Sequence, residues 1–379
     1  MRDRRIRTLV AATSGAVLIG SALVACGDSD GGGDSSGKSD ECSNASVAKA
    51  VAGLGQEERT AKLQELAKDG DESSTLTIYS SMSTEDLAKI VEPFGEEYGL
   101  KVEIADLDSS EIAQRVATEQ QAGKTQADVI QLGGQDQQLA AEQGLLAPFE
   151  TPYAEGIPDE LVYPNFIANY VVGYVFLWNN ERISEEDVPL TYEDLAASPM
   201  GEELGVTAGK WDFAVTLANY LMEKNGWDED KTVEEMSKMF GDATVYADEA
   251  PLAEAVQLGE VSGGIDYDDY YAEYSDKGSE AIEWQPAIDP VIVRPSGTSM
   301  TCKGGNPARA TMLADYLISE AAQEVIVETG RTPSNVNVQG GVLSTGPHNP
   351  IYEDMEAIAN ADTATKWAEL WDVITSRQE

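Results

Sequence analysis

TLTIYSSMSTEDLAKIVEPFGEEYGLKVE, residues 75–103, carries the alternation on which the fold is read. Its β-branched and aromatic opening, 75–79, predicts a strand. Ser83 then stands as a helix N-cap with Asp86 three residues on, and Leu87, Ile90, Val91 and Phe94 recur at the spacing of one helical face. A second strand is expected over 100–105, followed by the Ser109-Ser110 turn and a helix carrying Ile112 and Val116. A third, 127–132, ends in Gly133-Gly134. Strands alternating with helices predict a mostly parallel sheet in an α/β fold. Ligands of such sheets bind at the carboxyl ends of the strands, beside helix N-termini with free N–H groups. That rule gathers Ser80, Ser81, Ser110 and Gly133 around one crevice.

Further along, residues 166–178, FIANYVVGYVFLW, form an apolar run suited to a buried strand crossing between two lobes. A second αβ set follows, with helices expected near 213–224 and 233–240 and strands near 205–208 and 243–246. The acidic, tyrosine-rich cluster Asp266-Tyr267-Asp268-Asp269-Tyr270-Tyr271 is placed at a strand end of this set, and 290–295 reads as the return crossing, with helical segments at 307–328 and the C-terminus. Trp211 is a candidate stacking wall and Arg294 a candidate partner for an anion, each with a packing alternative.

Toward the N-terminus, Arg2, Arg4, Arg5 and Arg7 precede an apolar stretch ending in Leu23-Val24-Ala25-Cys26, the pattern of a secretory signal. This end resembles the bacterial lipoprotein box, which implies lipid attachment at Cys26. Residues 26–46 are rich in Gly, Ser and Asp and read as a flexible tether. Within them GGDSSGKS matches the phosphate-loop pattern but lacks the strand before it and the helix after it that would aim its amides. Residues 47–72 read as a pre-domain helix, interrupted near Gly53-Leu54-Gly55. Cys42 and Cys302 are then an even pair in an oxidising compartment, and sequence alone leaves their pairing open.

The formal charge of −43 repels phosphate backbones, so nucleic-acid binding is excluded. Acidity of this size reads either as adaptation to salt or as attraction for cations. His348 is the single histidine, and neither H-E-x-x-H nor G-x-S-x-G occurs, which argues against an enzyme. A carboxylate-based hydrolase stays as the minor alternative.

The blocks at 76–103, QADVIQLGG, LWNNERI, GEVSGGIDYDDYYAEY and NPARATMLADYLISEAAQEVIVETGRTPSN, in this order and spacing, resemble the extracellular solute-binding components of ABC importers. They are most similar to the group described as ferric-ion-binding. The resemblance implies a two-lobed type II periplasmic-binding-protein fold, each lobe a central sheet flanked by helices, with the ligand in the cleft between them. It divides the chain into a signal peptide (1–25), the tether, the pre-domain helix, lobe 1 (73–172 and 289–379) and lobe 2 (173–288). It further implies a monomer anchored outside the cytoplasmic membrane, partnered by a permease and its ATPase, with no cofactor beyond a transported ligand. Ferric-binding relatives place adjacent tyrosines where this chain has Tyr270-Tyr271, with Tyr267 upstream, and hard phenolate oxygen suits a hard cation. They carry a His where Ser83 stands and a Glu where Gly133 or Gly134 stands, so two expected ligands are absent. Ferric iron or a ferric chelate is the favoured solute, with Asp266, Asp268 and Asp269 as supplementary oxygen donors, or a carbonate-like anion or a chelator in the open positions. An organic oxyanion such as a phosphonate or sugar phosphate, or a sugar, is the alternative.

Overall fold

The computed structural model describes residues 42–376 apart from Pro199. The expected signal, the expected lipid attachment at Cys26 and the expected tether up to residue 41 lie outside the described residues. Helices α1 (Ala45–Val51) and α2 (Gln56–Asp69) come first, separated where Gly53 takes φ +71°. Then β1 (Thr75–Ser80), α3 (Thr84–Tyr98), β2 (Lys101–Asp106), α4 (Ser109–Gln121), β3 (Val129–Gly133) and α5 (Gly134–Glu142) alternate as expected. The crossing strand β4 (Ile167–Asn179) leads to α6 (Tyr192–Ala197), β5 (Leu204–Thr207), α7 (Trp211–Asn225), α8 (Glu229–Phe240), β6 (Thr244–Tyr246), α9 (Glu249–Leu258), β7 (Gly263–Tyr267) and α10 (Asp268–Asp276). The chain closes with β8 (Ile282–Glu283), the return crossing β9 (Val291–Met300), α11 (Pro307–Ile318), α12 (Glu320–Glu328), β10 (Thr332–Pro333), β11 (Pro350–Tyr352), α13 (Met355–Ala359) and α14 (Ala361–Ile374).

Local chemistry accounts for the opening unit. Ser83 accepts from the Asp86 amide at 3.2 Å, satisfying one of the free N–H groups of the first turn of α3. Leu87, Ile90, Val91 and Phe94 are all buried, and Gly99 ends the helix in the left-handed conformation that glycine adopts without strain.

The strands run in the order β2-β1-β3-β9-β4-β7-β5-β6. β1 is parallel to β2 and β3, β5 is parallel to β6 and β7, and the two crossings β9 and β4 pair antiparallel between these sets. Register decides where the cleft forms. Gly133, the last residue of β3, lies opposite Ser296 on β9, and Tyr267, the last residue of β7, lies opposite Tyr174 on β4. Arg294 pairs with Val172 at the level between them. The carboxyl ends of both parallel sets therefore meet over the middle of the β4–β9 ladder.

Around the sheet, one core cluster joins α2, α3, β1, α9, α11 and α12, and a second surrounds Phe213, Phe240, Trp367 and Trp371. The division that puts 289–379 wholly with lobe 1 does not anticipate the second cluster. α14 packs on α7 and α8, and the Trp371 indole donates to the Thr207 carbonyl at 2.9 Å. Aromatic area buried by α7 and α8 attracts the C-terminal helix across the boundary.

Before the body, the N-terminal helices are welded to it. Cys42 and Cys302 form a disulfide, Asn44 donates through its side chain to the Thr301 carbonyl at 2.8 Å, and Glu72 accepts from the amides of Ala308 and Arg309 at 2.9 Å each, capping α11. Opening the disulfide by Cys302→Ser is expected to lower stability by about 2–5 kcal/mol, because a long loop in the unfolded chain is released. Urea unfolding with and without reductant measures this, and equal midpoints for both forms would count against it.

Candidate functional site

Arg294 occupies the junction of the two strand sets. Its Nη1 donates to the Tyr267 hydroxyl at 2.5 Å, and Lys210 Nζ donates to the same oxygen at 3.1 Å. Tyr174 shares a hydrogen bond with Tyr267 at 3.3 Å. Burial pushes the Tyr267 phenol above its ordinary range even though Arg294 pulls it down, so the hydroxyl keeps its proton at neutral pH. On the other side of the guanidinium, a Cβ on Gly133 would stand 2.2 Å from Arg294 Nη2. Glycine at the end of β3 is what lets the arginine lie there.

Asp136, Asp212 and Glu353 each interact electrostatically with the Arg294 cation. Asp136 is pushed up by burial, against the pull of Arg294 and Lys210. Glu353 is pushed well above the carboxylate range by burial and then by Asp212, while Arg294 and Lys210 oppose the shift. Lys210 forms an ion pair with Glu249, and burial lowers its ammonium while Asp212 raises it. The Gln135 amide lies 3.0 Å from both Trp211 Nε1 and Asp212 Oδ2, and it satisfies both when its oxygen is assigned toward the indole and its nitrogen toward the carboxylate.

The residues singled out in the sequence fall into three groups. Arg294, Tyr267, Gly133 and Trp211 come together in this cluster, with Trp211 also packed into the second core. Tyr270 and Tyr271 do not, and Asp266 meets the side chains of the cluster only through Lys210, whose ammonium it raises against burial. Asp266 alternates with Tyr267 along β7 and accepts from the Tyr267 amide at 2.8 Å. Tyr270 and Tyr271 lie in the first turn of α10 rather than at a strand end, half-buried against the larger core cluster. Asp268 accepts from the Gly173 amide at 2.7 Å and so fastens α10 to β4. Among the serines, Ser80 is buried and spent, donating to Gln131 Oε1 at 2.8 Å and accepting from the Met82 amide at 3.0 Å. Ser83 caps α3, whereas Ser81 and Ser110 are exposed at the carboxyl end of β1 and in the first turn of α4.

Lys210, Asp212, Asp136, Tyr174 and Glu353 are members that sequence reasoning missed. Lys210 and Asp212 flank Trp211, and Asp136 follows the Gly133-Gly134 turn, so proximity to predicted helix starts was an available signal. Glu353 had none, since only the pairing of β11 with β9 brings it in. Among the described residues, no group of three or more His, Cys, Asp or Glu side chains is placed to hold a metal ion. No described helix is long and apolar enough to cross a membrane.

Comparison with solved structures finds the same fold at low identity. Iron-bound HitA from Pseudomonas aeruginosa matches with a TM-score of 0.65 at 18% identity, over 79% of this chain and 99% of that one. Apo ferric ion-binding protein A from Pasteurella haemolytica gives 0.67 at 19%, over 80% and 98%. AfuA from Actinobacillus pleuropneumoniae, with exogenous fructose-6-phosphate bound, gives 0.66 at 21%, over 80% and 99%. These likenesses establish the two-lobed periplasmic-binding-protein architecture. Residues 89–351, more than half of the chain, match the family described as bacterial extracellular solute-binding protein, and the protein belongs to that family.

Proposed function

We propose that this protein is the solute-capture component of an ABC importer, that it is tethered outside the cell membrane through Cys26, and that its solute is an organic oxyanion. One observation carries the choice of solute: Arg294 and Lys210 both donate to the Tyr267 oxygen at the meeting point of the two strand sets. Two cations on one buried hydroxyl repel a trivalent metal and favour an anionic oxygen, which a guanidinium can hold by two parallel bonds. Lys210 is already paired with Glu249, so the ligand completes the cluster rather than replacing its ions.

Ferric iron has its own support in the ferric-binding relatives and in Tyr270-Tyr271 beside Asp266 and Asp269. Against it stand Ser83 and Gly133 in the positions of the expected His and Glu. The family is one of binding proteins, and capture with release to a permease is the reading adopted over a carboxylate-based hydrolase.

A thermal-shift panel of fructose 6-phosphate, phosphonates, sugars, ferric citrate and ferric chloride separates the solutes. A ligand at 100 times its Kd stabilises the native state by about 2.7 kcal/mol, a readily measured shift. An oxyanion is expected to produce it and to compact the molecule in small-angle scattering as the lobes hinge on β4 and β9. Ferric loading that colours the protein by tyrosinate charge transfer, with no shift from any oxyanion, would decide for iron.

A further inference from the structure

Where α2 meets the end of α3 and the middle of α11, the chain leaves a cavity of ≈ 230 Å³ that none of the residues around Arg294 lines. Tyr98, Tyr153 and Tyr316 form much of its wall. The fully buried Phe94 holds two of these rings, its centroid 5.0 Å from that of Tyr98 and 5.4 Å from that of Tyr316. Tyr153, in the turn at 152–154, shares a hydrogen bond with Thr60 Oγ1 of α2 at 3.4 Å. Burial and then Glu97 push the Tyr98 phenol up to about 12, and the same two causes raise Tyr316, so both rings stay neutral at physiological pH.

The charges around the cavity are unequal. At its back Asp315 is held through both oxygens by Arg59, at 2.7 and 3.1 Å, and that pair is close to neutral. Glu97, exposed in the last turn of α3, adds a further carboxylate, and no lysine or arginine lines the cavity among the described residues. An anion would therefore meet carboxylates and the negative faces of the tyrosines. A hard metal ion lacks donors, since the Asp315 oxygens are taken and the phenols keep their protons. A primary ammonium gives up strong hydration to enter an aromatic site. A methylated ammonium is weakly hydrated, spreads its charge over its methyl groups, and gains from each π face it touches. The volume falls below the range of pockets for drug-sized ligands, so the occupant is small.

The geometry points to a second binding site on this protein, a tyrosine cage for a small methylated ammonium ion of the choline type, with Tyr98, Tyr153 and Tyr316 as π faces and Glu97 as the counter-charge. It is independent of the oxyanion reading of the cleft and stands whichever solute the cleft takes.

Calorimetric titration of the full chain with choline, with its uncharged isostere in which carbon replaces nitrogen, and with ammonium, all at equal ionic strength, tests this in wild type, Tyr316→Leu, Glu97→Gln and Ala321→Phe. Equal ionic strength removes the general attraction of an acidic protein for cations. Wild type is expected to bind choline, and to bind the isostere and ammonium at least about tenfold less well. Tyr316→Leu keeps apolar area against Phe94 but removes a π face, and should weaken choline by about 5–30-fold. Glu97→Gln should weaken it by about 2–5-fold, the scale of an exposed charge pair. Ala321→Phe fills the cavity from an exposed lining position and should abolish binding. Residues 97 and 321 are both exposed, so the melting temperatures of these two variants should match wild type, which separates lost binding from lost folding. Equal wild-type affinity for choline and its isostere would make the cavity merely apolar and overturn the cage. Absence of choline binding in wild type, or binding left intact by Ala321→Phe, overturns the site itself.

Discussion

Arg294→Met is expected to abolish oxyanion capture and to lower the stability of the ligand-free protein by about 3 kcal/mol, the lower end of what removing one member of a buried charge cluster costs. The residue keeps some exposure, which argues for the lower end. Its loss leaves Asp136, Asp212 and Glu353 facing one another with Lys210 as the nearest remaining cation, and it takes the 2.5 Å donor from Tyr267. Arg294→Lys keeps the charge but not the planar fork, so it should recover much of the stability while binding stays weaker by about 10–100-fold. Urea unfolding and ligand titration of both variants make the measurement. Unchanged oxyanion affinity in Arg294→Met would remove the residue from the binding site.

A loss of similar or larger size is expected far from the cleft. Arg59 on α2 holds Asp315 on α11 through Nε at 2.7 Å and Nη2 at 3.1 Å, and its Nη1 donates to the Val51 carbonyl at 3.1 Å. Side-chain exposures of 2% and 6% leave almost no water to replace a missing partner. Arg59→Met should therefore cost about 3–5 kcal/mol, since Asp315 remains buried without its cation. Burial already pushes the Asp315 carboxyl above its usual range despite Arg59, a sign that the pair is held against a substantial desolvation cost. The double change Arg59→Met, Asp315→Leu should then recover most of the loss, since apolar packing of similar volume replaces both charges. Urea midpoints for the two singles and the double close the cycle. A single-variant loss below about 1 kcal/mol, the scale of a surface ion pair, would mean that the N-terminal helices are not anchored by this contact.

Two levels of the molecule were legible to different degrees. The strand–helix alternation of 75–133 was readable because it depends on neighbours in sequence: the 3.6-residue spacing of Leu87, Ile90, Val91 and Phe94, the cap at Ser83, and β-branched runs bounded by Ser and Gly. The crossings at 166–178 and 290–295 were readable because a strand buried on both faces is apolar at nearly every position. Ser80 illustrates the limit. Its place at the end of β1 followed from pattern, but whether its hydroxyl faces a ligand or Gln131 depends on the pairing of β1 with β3.

The cluster around Arg294 shows the same limit at larger scale. By itself the sequence determined the fold class, the two crossings, the export signal pattern and a charge of −43, all of which follow from local periodicity and composition. It also brought out Tyr267 and Arg294 as individual residues. Only the tertiary structure decided that these two meet, that Tyr270 and Tyr271 fall in the first turn of α10, that Cys42 reaches Cys302, and that Glu353 is drawn in from the end of the chain. Each of these depends on strand register and on helices packing across the two lobes. Such contacts join residues as many as 260 positions apart, and no spacing rule within a strand or helix reaches that far.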